Sequence, residues 1–255
     1  MQNYKYNYLL ELQFLGFRYS GWQIMPGQKT VEGMLYKTLQ FIWEHENFKI
    51  FGAGRTDAKV SAEQFYAQVF CNEALNDEFI LELNYNLPRD IKIVSLIQAS
   101  PKFNLLADSI NKTYRYSIGK TMDRDVFQSP QKTFFKWELN WSLFTQALEC
   151  FKGELNYKSF TVKASNNKNF NREVAVDWKE SDEHLDVFFT SQGFLRYQIR
   201  LMIGACVLVA KQDLNLSELR TMVKTGQGLV KFIAPGSGLS LIQISINQDE
   251  IGRRE

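Results

Sequence analysis

Histidine and cysteine are scarce in this chain of 255 residues. The two histidines, His45 and His184, have no partner at metal-ligand spacing. A zinc centre or a histidine-based nucleophilic triad is therefore not expected. The three cysteines, Cys71, Cys150 and Cys206, are odd in number, far apart and set among apolar residues. They read as small buried hydrophobes and not as a disulfide framework. No apolar run is long enough to span a bilayer, and the opening residues lack a secretory pattern, so cytoplasmic residence without a membrane partner is expected. Any catalysis must fall to carboxylates, tyrosine, arginine or lysine.

A strong charge of one sign is also lacking. The formal net charge is +2, which does not announce a nucleic-acid binder. The balance is uneven along the chain: residues 1–108 hold 10 basic and 12 acidic side chains, and the remainder 20 and 16. That asymmetry is mild support for an anionic partner.

What is present is a repeated order of elements. Apolar periodicity predicts strand, helix, strand, strand, helix, strand over about 7–98. Thr30 suits an N-cap, with Val31, Met34, Leu35, Leu39 and Ile42 on one helix face. Pro88 stops the second helix. The second half repeats the order. It has a strand over about 112–119, a helix over about 139–152 and a hairpin through Val174–Phe189. A long apolar helix over about 195–211, a shorter one over about 216–225 and a closing strand follow. The reading is an α+β protein of two ferredoxin-like (βαββαβ) halves, 1–108 and 109–255. They are expected to share a central antiparallel sheet, with helices on one face and a cleft on the other.

One stretch carries chemistry. "GAGRTDAKVSA", residues 52–62, follows a strand and sets Arg55 and Asp57 two positions apart in a glycine-punctuated loop. It is not a dinucleotide fingerprint, because Asp57 stands where glycine or alanine is needed and a strand follows where a helix should begin. Two readings remain. Asp57 is a turn residue accepting backbone N–H bonds, or it is a nucleophile or base kept ionised by a cation. Arg196 and Arg200, one turn apart near a helix start, could supply that cation or could snorkel over an apolar helix. Gly204 permits close packing there. Lys112, Tyr114, Tyr116 and Ile118 share a strand face, where a tyrosine either stacks on a base or simply packs. Residues 155–172 hold Lys158, Lys163, Lys168 and Arg172 without an acid, interleaved with Tyr157, Phe160 and Phe170. Such a loop suits phosphate contacts beside stacking surfaces, or is merely solvated.

Together these pieces resemble the TruA-type tRNA pseudouridine synthases. "GRTDAKVSA" resembles that family's signature Gly-Arg-Thr-Asp-Ala-Gly-Val-His-Ala. "YSGWQ" (19–23), "TVEGML" (30–35), "LNYNLPRDIKI" (83–93), "FNLLADSINKTYRYSI" (103–118), "GFLRYQIRLMIGA" (193–205) and "APGSGLSL" (234–241) resemble its further blocks in the same order. The resemblance implies isomerisation of uridine to pseudouridine in RNA, anticodon-arm uridines of tRNA first, by a homodimer needing no metal or cofactor. It implies that Asp57 is the catalytic aspartate, either bonding covalently to the flipped nucleoside or abstracting a sugar proton. Arg55 would extrude or hold the nucleotide. Tyr114 would stack on the uracil, Arg200 would pair with Asp57, and Leu239 and Leu241 would wall the pocket. Lys59, Lys163 and Lys168 are the expected contacts to RNA phosphates.

The departures from the family concern the grip on RNA. Lys59 replaces a glycine, Ser61 a histidine, and Asn104, Leu105 and Leu106 stand where His-Ala-Arg is usual. They leave open a paralogue acting on another RNA. A non-catalytic RNA-binding module on the same scaffold is a further alternative, weakened by the intact Arg55, Asp57 and Arg200. A small-molecule enzyme is weakened by the acid-free loop.

Overall fold

The computed structural model describes residues 4–162, 169–247 and 251. In chain order its elements begin with β1 (Tyr6–Phe14), α1 (Val31–Trp43), β2 (Lys49–Gly52), β3 (Ser61–Cys71), α2 (Asp77–Asn86), β4 (Ile91–Gln98) and β5 (Ser109–Gly119). They continue with β6 (Thr133–Phe134), α3 (Trp141–Glu149), β7 (Gly153–Asn156), β8 (Asn171–Glu180), β9 (His184–Ser191), α4 (Gln198–Ala210), α5 (Leu216–Thr225) and β10 (Leu239–Ile246). The mostly antiparallel strands and few helices are those of the expected α+β class. No helix among the described residues is long and apolar enough to cross a membrane.

The chain forms two compact units, residues 1–112 with 240–255, and residues 113–239. In the first, β1 lies between β4 and β3 and is antiparallel to both. β2 extends β3 antiparallel, and β10 joins β3 parallel, with Ser240 opposite Ser61 and Leu241 opposite Ala62. Leu9, Leu10 and Leu12 of β1 are buried, so both strand faces are covered, at roughly 2 kcal/mol per side chain. Helix α1 starts where Thr30 accepts from the Gly33 amide and buries Val31, Leu35 and Leu39. Helix α2 is capped by Asn76 and ends before Pro88.

In the second unit β5 neighbours β9, β9 pairs antiparallel with β8, and β8 with β7. Strand β6 runs parallel to β5. Helix α4 is apolar nearly all round because it is buried nearly all round. Gly204 is obligatory there, since a Cβ would collide with the Phe232 carbonyl oxygen. Helix α5 opens on a capping box of Asn215 and Glu218.

Two sequence expectations are corrected. Tyr157 and Phe160 are not stacking surfaces for RNA. They are fully buried against Phe151, and the Tyr157 hydroxyl donates to the Phe151 carbonyl at 2.7 Å. Their segment is a short strand and a helical turn, because β8 is close enough to pair with Gly153–Asn156. Arg196 is not on the helix with Arg200: α4 begins at Gln198, and Tyr197 before it takes a left-handed conformation, φ 61°.

Candidate active site

In the first unit the turn after β2 is fixed at several points. The Ala53 amide donates to the Tyr66 carbonyl at 2.8 Å, and Val60 N–H closes the turn on the Asp57 carbonyl at 3.2 Å. The Trp22 amide donates to the Thr56 carbonyl at 3.2 Å, and the Lys59 amide to the Tyr19 carbonyl at 3.0 Å. Gly21 must be glycine, with φ 98° and no room for a Cβ beside the Thr56 carbonyl. On this turn Arg55 and Lys59 are exposed and Asp57 is half-buried. Arg55 sits near the Glu32 carboxyl. Burial raises that group's pKa, while the Ile24 amide and the Arg55 charge oppose the rise.

Two supports of this turn escaped the sequence reading. Lys112 reaches from β5, and its ammonium donates to the Ala53 carbonyl at 2.6 Å. Burial pushes its pKa below that of an ordinary lysine. Asp90, from "LPRD", accepts from the Tyr19 hydroxyl at 2.6 Å and the Arg18 guanidinium at 2.8 Å, and its carbonyl accepts from the Leu15 amide at 2.9 Å. Burial works against the Asp90 carboxylate, but the Tyr19 and Arg18 bonds outweigh it and lower its pKa. Residues 15–19 are thereby tied to Asp90, and the Tyr19 carbonyl holds them to the turn through the Lys59 amide. Ser61, where the signature it resembles has histidine, is 2% exposed and accepts from the Gly16 amide at 2.9 Å, so it serves the backbone.

In the second unit Tyr114 is half-buried, edge-on to Phe194 with ring centroids 5.4 Å apart. Tyr116, on the same strand face, is fully buried, and its hydroxyl donates to the Pro235 carbonyl at 2.9 Å. Arg200 donates from Nε to the Ala234 carbonyl at 2.7 Å, and Ala234 N–H returns a bond to the Arg200 carbonyl at 3.0 Å. The guanidinium groups of Arg196 and Arg200 lie 5.2 and 4.9 Å from the Tyr197 ring centroid. A non-glycine residue in a left-handed conformation, with two cations near its ring, marks a locally over-determined segment. Leu239 and Leu241 of β10 are both buried.

The structure thus brings Arg55, Asp57 and Lys59 together on one turn of the first unit. In the second unit it sets Tyr114 against Phe194 and Arg200 against Tyr197. Lys163 and Lys168 lie outside the described residues. Among the described residues no cluster of three or more His, Cys, Asp or Glu could hold a metal ion.

Comparison with known proteins gives a consistent result. A family model described as tRNA pseudouridine synthase matches residues 147–244. The chain is 30% identical over 243 residues to the tRNA pseudouridine synthase A of Dictyoglomus thermophilum, covering 93% of this chain and 98% of that protein. It is 30% identical over 259 residues to that of Akkermansia muciniphila, covering 94% and 95%. With that of Aquifex aeolicus the identity is 29% over 240 residues, covering 93% and 98%.

Proposed function

Because the chain belongs to the tRNA pseudouridine synthase A family and is an isomerase that converts uridine to pseudouridine, we propose that Asp57 performs the chemistry on anticodon-arm uridines of tRNA. In the reaction the bond from the ribose to the ring nitrogen breaks, the uracil turns, and a bond forms from the ribose to carbon 5. The proton on carbon 5 is released, and the freed nitrogen gains one. An Asp57 carboxylate can serve in two ways. It can attack the anomeric carbon and hold the sugar as a covalent adduct, or it can take a ribose proton as the glycosidic bond opens. A half-buried carboxylate on a turn fixed by backbone bonds to Trp22 and Tyr19 has the fixed placement that either role needs. This fixed turn, carried by a chain that matches its relatives over nearly its whole length, is the observation on which the reading rests.

Arg55, exposed on the same turn, is assigned the extrusion or holding of the target nucleotide. Tyr114 is assigned the uracil face, Arg200 the pairing with Asp57, and Leu239 and Leu241 the pocket wall. Lys59, Lys163 and Lys168 are assigned phosphates of the RNA. We propose further that the enzyme works in the cytoplasm as a homodimer, in which a second copy adds basic surface to a chain of net charge only +2.

The test is direct. Purified protein is incubated with an unmodified tRNA transcript and pseudouridine is measured. Turnover by the natural chain and none by Asp57→Asn, with tRNA affinity kept within a few-fold, is the expected result. Turnover by Asp57→Asn close to that of the natural chain removes Asp57 from the mechanism.

A further inference from the structure

Lys59 stands in the left-handed region, φ 66°, where a lysine is strained and glycine is the default. Its amide is tied to the Tyr19 carbonyl at 3.0 Å, so relaxing the strain would cost that bond. Its ammonium lies 5.5 Å from the centroid of the Phe17 ring. Phe17 is 41% exposed, at the middle of a helical turn whose Gly16 amide is bonded to Ser61, just past Lys59. The neighbouring cation Arg18 is engaged by Asp90 at 2.7 Å. A solvent-exposed ring and the cation lying over one side of it therefore stand together, the lysine two residues from Asp57, on segments joined by the Lys59–Tyr19 and Gly16–Ser61 bonds.

We propose that Phe17 and Lys59 form a nucleotide subsite, in which the ring stacks on the base next to the target uridine and the ammonium holds its phosphate. The proposal rests on the pseudouridine synthase reading and adds a specificity element that a glycine at this position could not supply. Stacking on an exposed ring tolerates any base, whereas the cation sets the register of the strand. Strain at a non-glycine residue, retained beside a reactive turn, fits a functional use. Lysine here adds a cation where the bare backbone would otherwise meet RNA.

The two contributions of Lys59 have opposite signs, which gives the test its power. Lys59→Gly is expected to raise the melting temperature of the protein. It is also expected to weaken binding of an unmodified tRNA transcript and to lower the salt dependence of log K by about one unit. Phe17→Ala is expected to raise KM about tenfold through the lost stack, with the loss falling on KM more than on kcat, and Phe17→Tyr to restore it. A Lys59→Gly protein with unchanged Kd and salt slope, or a Phe17→Ala protein with unchanged KM and Kd, overturns the proposal. Affinity is read separately from turnover. A natural chain that forms no pseudouridine would therefore count against the reaction, while Kd and the salt slope still decide the subsite.

Discussion

The ammonium of Lys112 donates to the carbonyl oxygen of Ala53 at 2.6 Å, across 59 positions of sequence. A charged donor has been taken partly out of water to meet a single backbone oxygen four residues before Asp57. The loss of hydration is offset only if holding that oxygen has value.

Lys112→Met keeps the length of the side chain and removes the donor. Turnover is expected to fall by on the order of a hundredfold, since a small misplacement of a reacting group has effects of that size. Affinity for tRNA should change little. Lys112→Arg, which can still donate, should recover part of the rate. Single-turnover rates set beside binding curves check this, and equal loss of rate and affinity would point to damage of the fold instead.

Asp90 contributes to stability on the acid side. Its folded-state pKa lies below the ordinary value, held down against burial by Tyr19 and Arg18. The stabilisation is thus complete above the unfolded value of about 4 and is lost as pH falls through the lower folded value. Asp90→Asn should be less stable at neutral pH and should converge with the natural chain in strong acid. Denaturant midpoints measured from pH 7 down to pH 2 give the comparison.

Thr56 carries a buried hydroxyl without a hydrogen-bond partner among the described residues. Thr56→Val replaces it with a methyl of similar shape and is expected to stabilise the protein by about 1 kcal/mol. A chemical denaturation series measures it. A loss of stability would mean that the hydroxyl has a partner in solution.

Arg200→Met removes the donor to Ala234 and the cation over Tyr197. The cost in stability is expected to be about 1–2 kcal/mol. The single-turnover rate should drop on the order of a hundredfold or more, as when a preorganised charged donor is lost. A rate that falls only in step with stability would leave Arg200 a structural role alone.

Local signals made much of this legible in the sequence. Thr30 and the apolar spacing after it delimit α1, and Pro88 marks the end of α2, because caps and breakers act within a few residues. The turn bearing Arg55 and Asp57 was legible from its glycines and from the strand before it. Nonlocal effects were not. Strand β3 begins at Ser61, earlier than its alternation suggests, and there it pairs with β10. Tyr197 breaks the register of Arg196 with Arg200 through a backbone conformation that its side chain does not advertise. Tyr157 and Phe160 looked like surface aromatics because their neighbours are polar. The bond from Lys112 to Ala53 depends on two segments meeting, which periodicity cannot report.

The pairing of β10 with β3 has a temporal side. The first unit is discontinuous: the strand segment directly after the turn bearing Asp57, Ser61–Ala62, waits for Ser240 and Leu241 as its parallel neighbours. During synthesis the chain must emerge as far as Leu241 before that edge is covered, and closing so long a loop is slow. The turn bearing Asp57 is therefore among the last parts of the first unit to gain its full support. A nascent or prematurely ended chain can hold the signature residues while lacking the strand that sits beside them.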